Sequence, residues 1–299
     1  MNQLKNLPFF NDIINANGTI HHVGGGVRDQ FLNKPSKDLD IIVSNIPIDD
    51  LEHILLKHGI VDFVGKSFGI FKFRKDKDSE EIDISLPRSE KKIGEGHRGF
   101  QMHIDHTMPI EQDLFRRDFC LNSMAMDHNG NLVDPFGGMR DIKDKIIRLT
   151  NIEAFSDDPL RMLRAIGFAS RFNFQIEDET MESIRENAEK IKEIPNERIY
   201  TEFEKIVSKG DKKYALELLI ETRLFQELFS AQFTGNIELL KNVKTVPEFF
   251  MVITEHLFKF PHIAYNEIIS TDSDQTKEIM AFILAMNEKP SRMIACMMY

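Results

Sequence analysis

The stretch Val23-Gly-Gly-Gly-Val-Arg-Asp29, followed by Lys37-Asp-Leu-Asp-Ile-Ile-Val43, decides the fold of this 299-residue chain. The run 19–23 is rich in β-branched residues and predicts a strand, and the run 27–32 predicts the start of a helix. Consecutive glycines after a strand let the backbone approach a phosphate closely, and the start of a helix offers unpaired N–H donors. By itself, however, a glycine-rich segment is equally typical of an ordinary tight turn.

Asp38 and Asp40 favour the interpretation of this turn as a phosphate-binding segment over that of an ordinary tight turn. On a strand, two side chains two residues apart point to the same face, and two carboxylates there repel each other unless a cation lies between them. Hard divalent ions such as Mg²⁺ prefer oxygen ligands of this kind. An isolated Asp-x-Asp more often ends a strand or caps a turn, but its position a short distance after the Gly-Gly-x-Val-Arg-Asp turn favours a metal site.

Working outward from this stretch, the chain divides into a mixed part and a helical part. Further strands are predicted at 39–43, 61–74, 81–86, 131–134 and 146–149. Beyond residue 151, helical periodicity predicts helices at 159–171, 178–191, 199–208, 212–222, 246–258 and 274–286. The sequence therefore predicts an α+β fold with a small mixed sheet in residues 1–150 and an all-helical region after it.

Composition sets limits on the function. Hydrophobic residues make up 41% and charged residues 29% of the chain, as in ordinary globular proteins. The net charge of −10 argues against a surface coated with nucleic acid but is compatible with a local basic groove. With two cysteines, Cys120 and Cys296, the chain cannot build a disulfide framework or a zinc cage, so we expect a reduced, cytoplasmic location. No stretch approaches the ~18 apolar residues needed to span a bilayer, so we expect no membrane association.

The glycine turn with its two aspartates resembles the head of the polymerase β-like nucleotidyltransferases. The similarity is to the branch that contains class II CCA-adding enzymes (tRNA nucleotidyltransferases) and bacterial poly(A) polymerases. The resemblance implies that Asp38 and Asp40 hold Mg²⁺ and that Asp83, on a neighbouring strand, is a third catalytic carboxylate. It also implies that Gly25 and Arg28 contact the phosphates of a nucleotide.

A second block, Asp113-Leu-Phe-Arg-Arg-Asp-Phe-Cys-Leu-Asn-Ser-Met-Ala-Met126, resembles the family segment R-R-D-[FL]-T-x-N-A. The resemblance implies that Arg117 contacts the nucleotide, and a planar guanidinium suits bidentate contact with phosphate or sugar oxygens. We expect Asp118 to orient the arginines or contact the ribose, and Asn122 to brace the loop. The stretch from Arg88 to Phe100 is expected to be a mobile loop near the site.

A third block, Phe155-Ser-Asp-Asp-Pro-Leu-Arg-Met-Leu-Arg-Ala-Ile-Gly-Phe-Ala-Ser-Arg-Phe172, resembles the family segment E-D-P-x-R-x-L-R-x-x-R-F-A. The resemblance implies that Asp158 and Arg161 pair with the base and that Arg164 supports the nucleotide. An aspartate can accept a hydrogen bond from the exocyclic amino group of cytosine or adenine, and an arginine can donate to a ring nitrogen or a carbonyl. The alternative is an ion pair within the helix, which contributes a few tenths of a kcal/mol. Gly167 stands where the family usually has an arginine or another larger residue.

The resemblance covers about residues 23–229 and implies a function and a division of the chain. Residues 1–150 would form the catalytic head, 151–230 a neck and body that select the nucleotide and bind RNA, and 231–299 a divergent, shortened helical tail. The implied reaction is template-independent addition of CCA to tRNA 3′ ends from CTP and ATP, with Mg²⁺ and release of pyrophosphate. A poly(A) polymerase, a partial CC- or A-adding enzyme and an inactive RNA-binding relative remain alternatives. No obligate protein partner is predicted.

Overall fold

The computed structural model of the chain describes residues 3–34, 39–64, 69–92, 100–229, 232–233, 235–246, 248–250 and 252–253. Asp38, the predicted helix at 274–286 and most of that at 246–258 lie outside these residues. The chain forms two compact units: Met1–Asp144 with Arg148–Ala154, and Lys145–Ile147 with Phe155–Tyr299. The functional division at residues 150 and 230 stays a prediction.

The first unit contains short strands. They are β1 (Thr19–Val23), β2 (Asp40–Ser44), β3 (Ile60–Val64), β4 (Ile70–Arg74), β5 (Ile82–Ser85), β6 (Arg88–Lys92), β7 (Phe100–Ile104), β8 (Ala125–Asp127) and β9 (Leu132–Val133). Seven of the described strands form one sheet in the order β3-β4-β5-β2-β1-β8-β9. Strands β2 and β5 pair in parallel, and the other neighbours pair antiparallel. The predicted mixed sheet is therefore confirmed.

The helices that accompany this sheet are α1 (Phe10–Asn15), α2 (Gly25–Phe31), α3 (Ile48–Leu56), α4 (Ile110–Phe115) and α5 (Gly138–Asp144). One face of the sheet is buried against α1 and α3, because α3 presents Leu51, Ile54 and Leu55 at helical spacing. Strand residues of the same core include Ile41 and Ile84. Since side chains alternate along a strand, the neighbours Asp40 and Asp83 lie on the opposite face of the sheet.

The expectation of a mobile loop from Arg88 to Phe100 needs correction. The structure shows β6 and β7 as an antiparallel pair, with Arg88 opposite Ile104 and Lys92 opposite Phe100. The sequence of β6, Arg-Ser-Glu-Lys-Lys, has no alternation of apolar and polar residues, so hydrophobic periodicity did not reveal the strand. The residues between the two strands, 93–99, lie outside the described part of the chain.

The second unit is mainly helical. Its helices are α7 (Leu160–Phe172), α8 (Asp178–Asn187), α9 (Asn196–Lys209), α10 (Lys212–Glu221) and α11 (Leu224–Phe229), and α6 (Ala154–Asp157) lies at the boundary between the units. Two short parallel strands, β10 (Ile146–Ile147) and β11 (Gln175–Ile176), accompany them. Helix α7 packs against α9 and α10, and the predicted helices between residues 159 and 222 are confirmed to within a few residues at their ends. Among the described residues, no helix is long and apolar enough to span a membrane.

The arginines of α7 lie on its outer face. Leu163 and Ile166 are fully buried, whereas Arg161 and Arg164 remain partly exposed. Gly167 lies in the middle of this helix, and a methyl group at its Cα would stand 3.5 Å from Cγ1 of Ile206, which is an ordinary contact.

We expect Gly167→Ala to raise the free energy of unfolding by about 1 kcal/mol, because alanine removes the entropic cost of a glycine inside a helix. Urea denaturation would measure the change. Gly210→Ala in the same unit is the matched control and should have the opposite sign, since its Cβ would lie 2.5 Å from Oγ of Ser170 and 2.8 Å from the carbonyl oxygen of Ile206. A destabilised Gly167→Ala variant would contradict this packing of α7 against α9.

Candidate active site

Two acidic side chains lie side by side on neighbouring strands. Asp40 begins β2 and pairs in register with Asp83 of β5, and parallel strands in register place the two side chains on the same face about 4.8 Å apart along the hydrogen-bonding direction. Asp40 is partly exposed and Asp83 is exposed. Asp38, the predicted partner of Asp40, lies outside the described residues. The pair supplies the carboxylate oxygens that divalent cations prefer, and both members face solvent.

No three carboxylate, histidine or cysteine side chains of the described residues form a group that could hold a metal ion. The donor chemistry of the Asp40–Asp83 pair nevertheless fits a hard divalent cation, which keeps several water ligands and binds through one or two carboxylates plus substrate phosphates. The predicted metal site thus has two candidate ligands within the described chain.

Lys72 of β4 neighbours this pair. It stands opposite Asp83 in the antiparallel register of β4 and β5. Its Nζ donates hydrogen bonds to Glu81 and, over 3.2 Å, to Oδ1 of Asp83. The hydrogen bonds to Glu81 and Asp83 raise the pKa of Lys72, and the hydrogen bond from Lys72 lowers the pKa of Glu81. Lys72 was not identified from the sequence.

The glycine turn begins at Gly24, which connects β1 to α2 with φ 70° and ψ −136°. Few side chains tolerate this conformation. A Cβ on Gly24 would also lie 2.8 Å from Nη1 of Arg117 and 3.9 Å from Oδ2 of Asp40. The turn therefore brings a guanidinium and the candidate metal-binding carboxylate to the same piece of backbone. Gly25, the glycine that was singled out from the sequence, is the first residue of α2.

We expect Gly24→Ala to lower the free energy of unfolding by about 1–3 kcal/mol, because the new methyl group meets both an unfavourable φ and the guanidinium of Arg117. Gly25→Ala is the matched control: its Cβ would lie 3.4 Å from Nη2 of Arg28, so the cost should stay below about 1 kcal/mol. Thermal or urea unfolding of both variants checks the expectation. Equal losses for the two would show that the turn does not depend on the geometry of Gly24.

Asp113 holds the two arginines of the second block. This side chain is fully buried. Its Oδ1 accepts a hydrogen bond from Nε of Arg116 over 2.9 Å, and its Oδ2 accepts one from Nη2 of Arg117 over 3.2 Å. This orienting role was expected of Asp118, whereas the structure gives it to Asp113. The spacing of Asp113 and Arg117, four residues apart across the end of α4, is the signal that could have identified it.

Arg28 lies in a buried network within the first unit. Its side chain donates to Asp29 over 2.8 Å and to Asn122 over 2.6 Å, and Asn122 donates in turn to Asp118 over 3.0 Å. Only 5% of Arg28 is exposed. The network joins α2 to the 3-10 turn Cys120–Asn122, so Asn122 does brace the loop. Contact between Arg28 and a phosphate stays a prediction.

The third set of predicted site residues lies in the second unit. Oδ2 of Asp158 accepts a hydrogen bond from Arg198 of α9 over 2.8 Å, and its Oδ1 accepts one from the backbone N–H of Leu160 at the start of α7. The guanidinium of Arg164 lies 3.7 Å from Glu202 of α9 and stacks over the ring of Phe168. These two contacts from α9 were not predicted from the sequence.

Arg198 and Glu202 are four residues apart and therefore lie on one face of α9. Each contacts a predicted nucleotide-binding residue, since Arg198 contacts Asp158, just before α7, and Glu202 contacts Arg164 on α7. Glu202 is itself buried, with 5% of its surface exposed. These contacts orient Asp158 and Arg164 through side chains in a stretch that the resemblance assigns to the neck and body.

The fold is that of the polymerase β-like nucleotidyltransferases: a head with a small mixed sheet, followed by a helical region. Residues 20–148 match the family described as "Poly A polymerase head domain". Residues 173–234 match the one described as "Probable RNA and SrmB- binding site of polymerase A". The chain belongs to the family of tRNA nucleotidyltransferases and bacterial poly(A) polymerases.

Known relatives agree with this assignment. The chain is 37% identical over 208 residues to the "Multifunctional CCA protein" of Pseudoalteromonas atlantica, a match that covers 68% of this chain and 49% of that protein. The chain thus spans about half the length of the curated relatives it matches. Its fold is similar to the Bacillus stearothermophilus CCA-adding enzyme in complex with CTP, with a TM-score of 0.71 and 25% identity over 97% of this chain and 70% of that one. The Thermotoga maritima CCA-adding enzyme complexed with tRNA gives a TM-score of 0.69 and 26% identity over 93% of this chain and 68% of that one.

Proposed function

We propose that this protein adds CCA to the 3′ end of tRNA, using CTP and ATP and releasing pyrophosphate. The observation that carries the proposal is the arrangement around Gly24, where Asp40, paired in register with Asp83, and Arg117 meet the glycine turn. Support comes from the curated relatives, which are named multifunctional CCA proteins. Two similar solved structures are CCA-adding enzymes in complex with CTP and with tRNA. We place the reaction in the cytoplasm.

In this proposal Asp40 and Asp83, together with Asp38, hold Mg²⁺. A bound Mg²⁺ supplies activation of the RNA 3′ hydroxyl and neutralisation of the departing pyrophosphate. Asp40 and Asp83 present their carboxylates on the solvent-facing side of the sheet, where they would hold the cation. The buried opposite face keeps β2 and β5 in register, so that the two carboxylates stay together.

The remaining predicted residues bind the nucleotide. Gly25 lets the backbone approach the phosphates, and Arg28 and Arg117 contribute positive charge. Asp113 keeps the guanidinium of Arg117 at the turn, because a buried carboxylate fixes its direction. This arrangement fits a triphosphate, whose oxygens suit bidentate contact with a guanidinium.

We assign selection of the base to Asp158 and Arg161, with Arg164 supporting the nucleotide. Asp158 accepts hydrogen bonds and Arg161 donates them, which matches the edge of cytosine or adenine. Arg198 orients Asp158 through an ion pair of 2.8 Å, and a carboxylate accepts hydrogen bonds but cannot donate one to the carbonyl oxygen of uracil or guanine. An acceptor at Asp158 and a donor at Arg161 therefore favour CTP and ATP over UTP and GTP.

A poly(A) polymerase is the second candidate, because the family matched by residues 20–148 is named for that enzyme. Both candidates use the same head chemistry and differ in nucleotide choice and in where addition stops. A partial enzyme that adds only CC or only A would differ from both in the length of its product.

The test is extension of a tRNA transcript that lacks its CCA end. The purified full chain would be incubated with Mg²⁺ and with CTP and ATP, singly and together, and the products would be resolved at single-nucleotide resolution. Two additions with CTP and three with both nucleotides support CCA addition. A long ladder with ATP alone identifies a poly(A) polymerase. If the folded chain extends the tRNA with neither nucleotide, the proposal is refuted in favour of an RNA-binding role.

A further inference from the structure

Charged side chains alternate in sign across β3, β4, β5 and Glu81, the residue just before β5, on the open face of the sheet. Asp62 pairs with Arg74 over 3.0 Å, and Arg74 pairs with Glu81 over 3.4 Å. Glu81 pairs in turn with Lys72, and Lys72 pairs with Asp83 over 3.2 Å. We call these five residues the charge row. It ends at Asp83, the residue beside Asp40.

The register of the strands explains why the row ends there. Lys72 on β4 stands opposite Asp83 on β5, and Asp83 stands opposite Asp40 on β2. Residues paired in register point to the same face, so the ammonium group of Lys72 and the carboxylates of Asp83 and Asp40 lie on three successive strands. Two neighbouring carboxylates repel each other unless positive charge is close, and Lys72 provides such a charge within the described residues.

We propose that Lys72 is a positioning residue that serves as the resident counter-ion of Asp83, so that Lys72 and a divalent cation compete for this carboxylate. The inference rests on the assignment of Asp83 as a metal ligand in the proposed function. Glu81 keeps Lys72 close to Asp83, because the same Nζ donates to both carboxylates. Arg74 holds Glu81 from the other side.

The test is the affinity of the full chain for Mn²⁺ alone, without nucleotide or RNA, measured from the electron paramagnetic resonance signal of the free ion. Lys72→Met should bind Mn²⁺ about three- to fivefold more tightly than the wild type, the scale of a partly exposed ion pair. Lys72→Arg keeps the charge and should retain the affinity of the wild type. Lys75→Met, which removes an exposed lysine three residues further along, controls for the change in net charge.

The Asp83→Asn background separates this inference from the proposed function. There, Lys72→Met should no longer change the affinity for Mn²⁺, although Asp83→Asn itself weakens binding. Unchanged affinity in Lys72→Met, or an equal gain in both backgrounds, overturns the role of Lys72 and leaves the metal site intact. Unchanged affinity in Asp83→Asn overturns the assignment of Asp83 as a ligand, and the inference with it. Urea unfolding of each variant confirms that the protein measured is folded.

Discussion

Replacing Asp40 by asparagine is expected to lower the rate of nucleotide addition by about a thousandfold, the scale seen when a group that stabilises transition-state charge is removed. Asparagine has nearly the same size as aspartate, but its amide lacks the negative charge that attracts a divalent cation. Asp40 is partly exposed at the first position of β2, so the change should cost less than about 1 kcal/mol of stability. The initial rate of CMP incorporation into a tRNA lacking CCA measures the effect.

Asp62→Asn is the matched control for this experiment. Asp62 lies on β3 of the same sheet and is exposed, with a partner in Arg74. Its replacement should change the rate by no more than about twofold, because an exposed ion pair contributes little. If Asp40→Asn folded normally and kept a rate similar to that of Asp62→Asn, Asp40 would not be a metal ligand and the chemistry would lie elsewhere.

Much of the fold could be predicted from the sequence because its elements follow simple periodicities. The strand that leads into the glycine turn was predicted at 19–23 and is found as Thr19–Val23. Helix α7 was predicted one residue early at each end. These segments alternate or repeat their apolar residues clearly, and burial enforces the pattern. Strand β8 (Ala125–Asp127) was missed because three residues are too few to show a period.

The site could be predicted less completely, because its supporting contacts join residues far apart in the chain. The Asp40–Asp83 pair depends on a parallel register between β2 and β5, which the resemblance suggested and periodicity could not show. Lys72 reaches Asp83 across another register. Arg198 reaches Asp158 from a residue 40 positions away. Such partners are fixed by tertiary packing, and no local spacing in the sequence predicts them.

Asp113→Asn is expected to lower the free energy of unfolding by about 3 kcal/mol, the second large effect that the structure predicts. The Asp113 side chain is fully buried, and each arginine that it pairs with is only 19% exposed. Asparagine fills the same space, but it leaves two guanidinium groups close together without their shared negative charge. Urea denaturation followed by circular dichroism measures the loss.

The chain offers a close control in Asp144→Asn. Asp144 pairs with Arg140 at a separation of four residues, as Asp113 does with Arg117, but the Arg140 side chain is 84% exposed. That replacement should cost less than about 0.5 kcal/mol.

The Michaelis constant for CTP should rise only in Asp113→Asn, because Arg117 lies against Gly24 at the turn. If the two variants had equal stability, burial of the Asp113 carboxylate would contribute nothing. If Asp113→Asn lost stability but kept its Michaelis constant, Asp113 would support the fold without positioning Arg117 for the nucleotide.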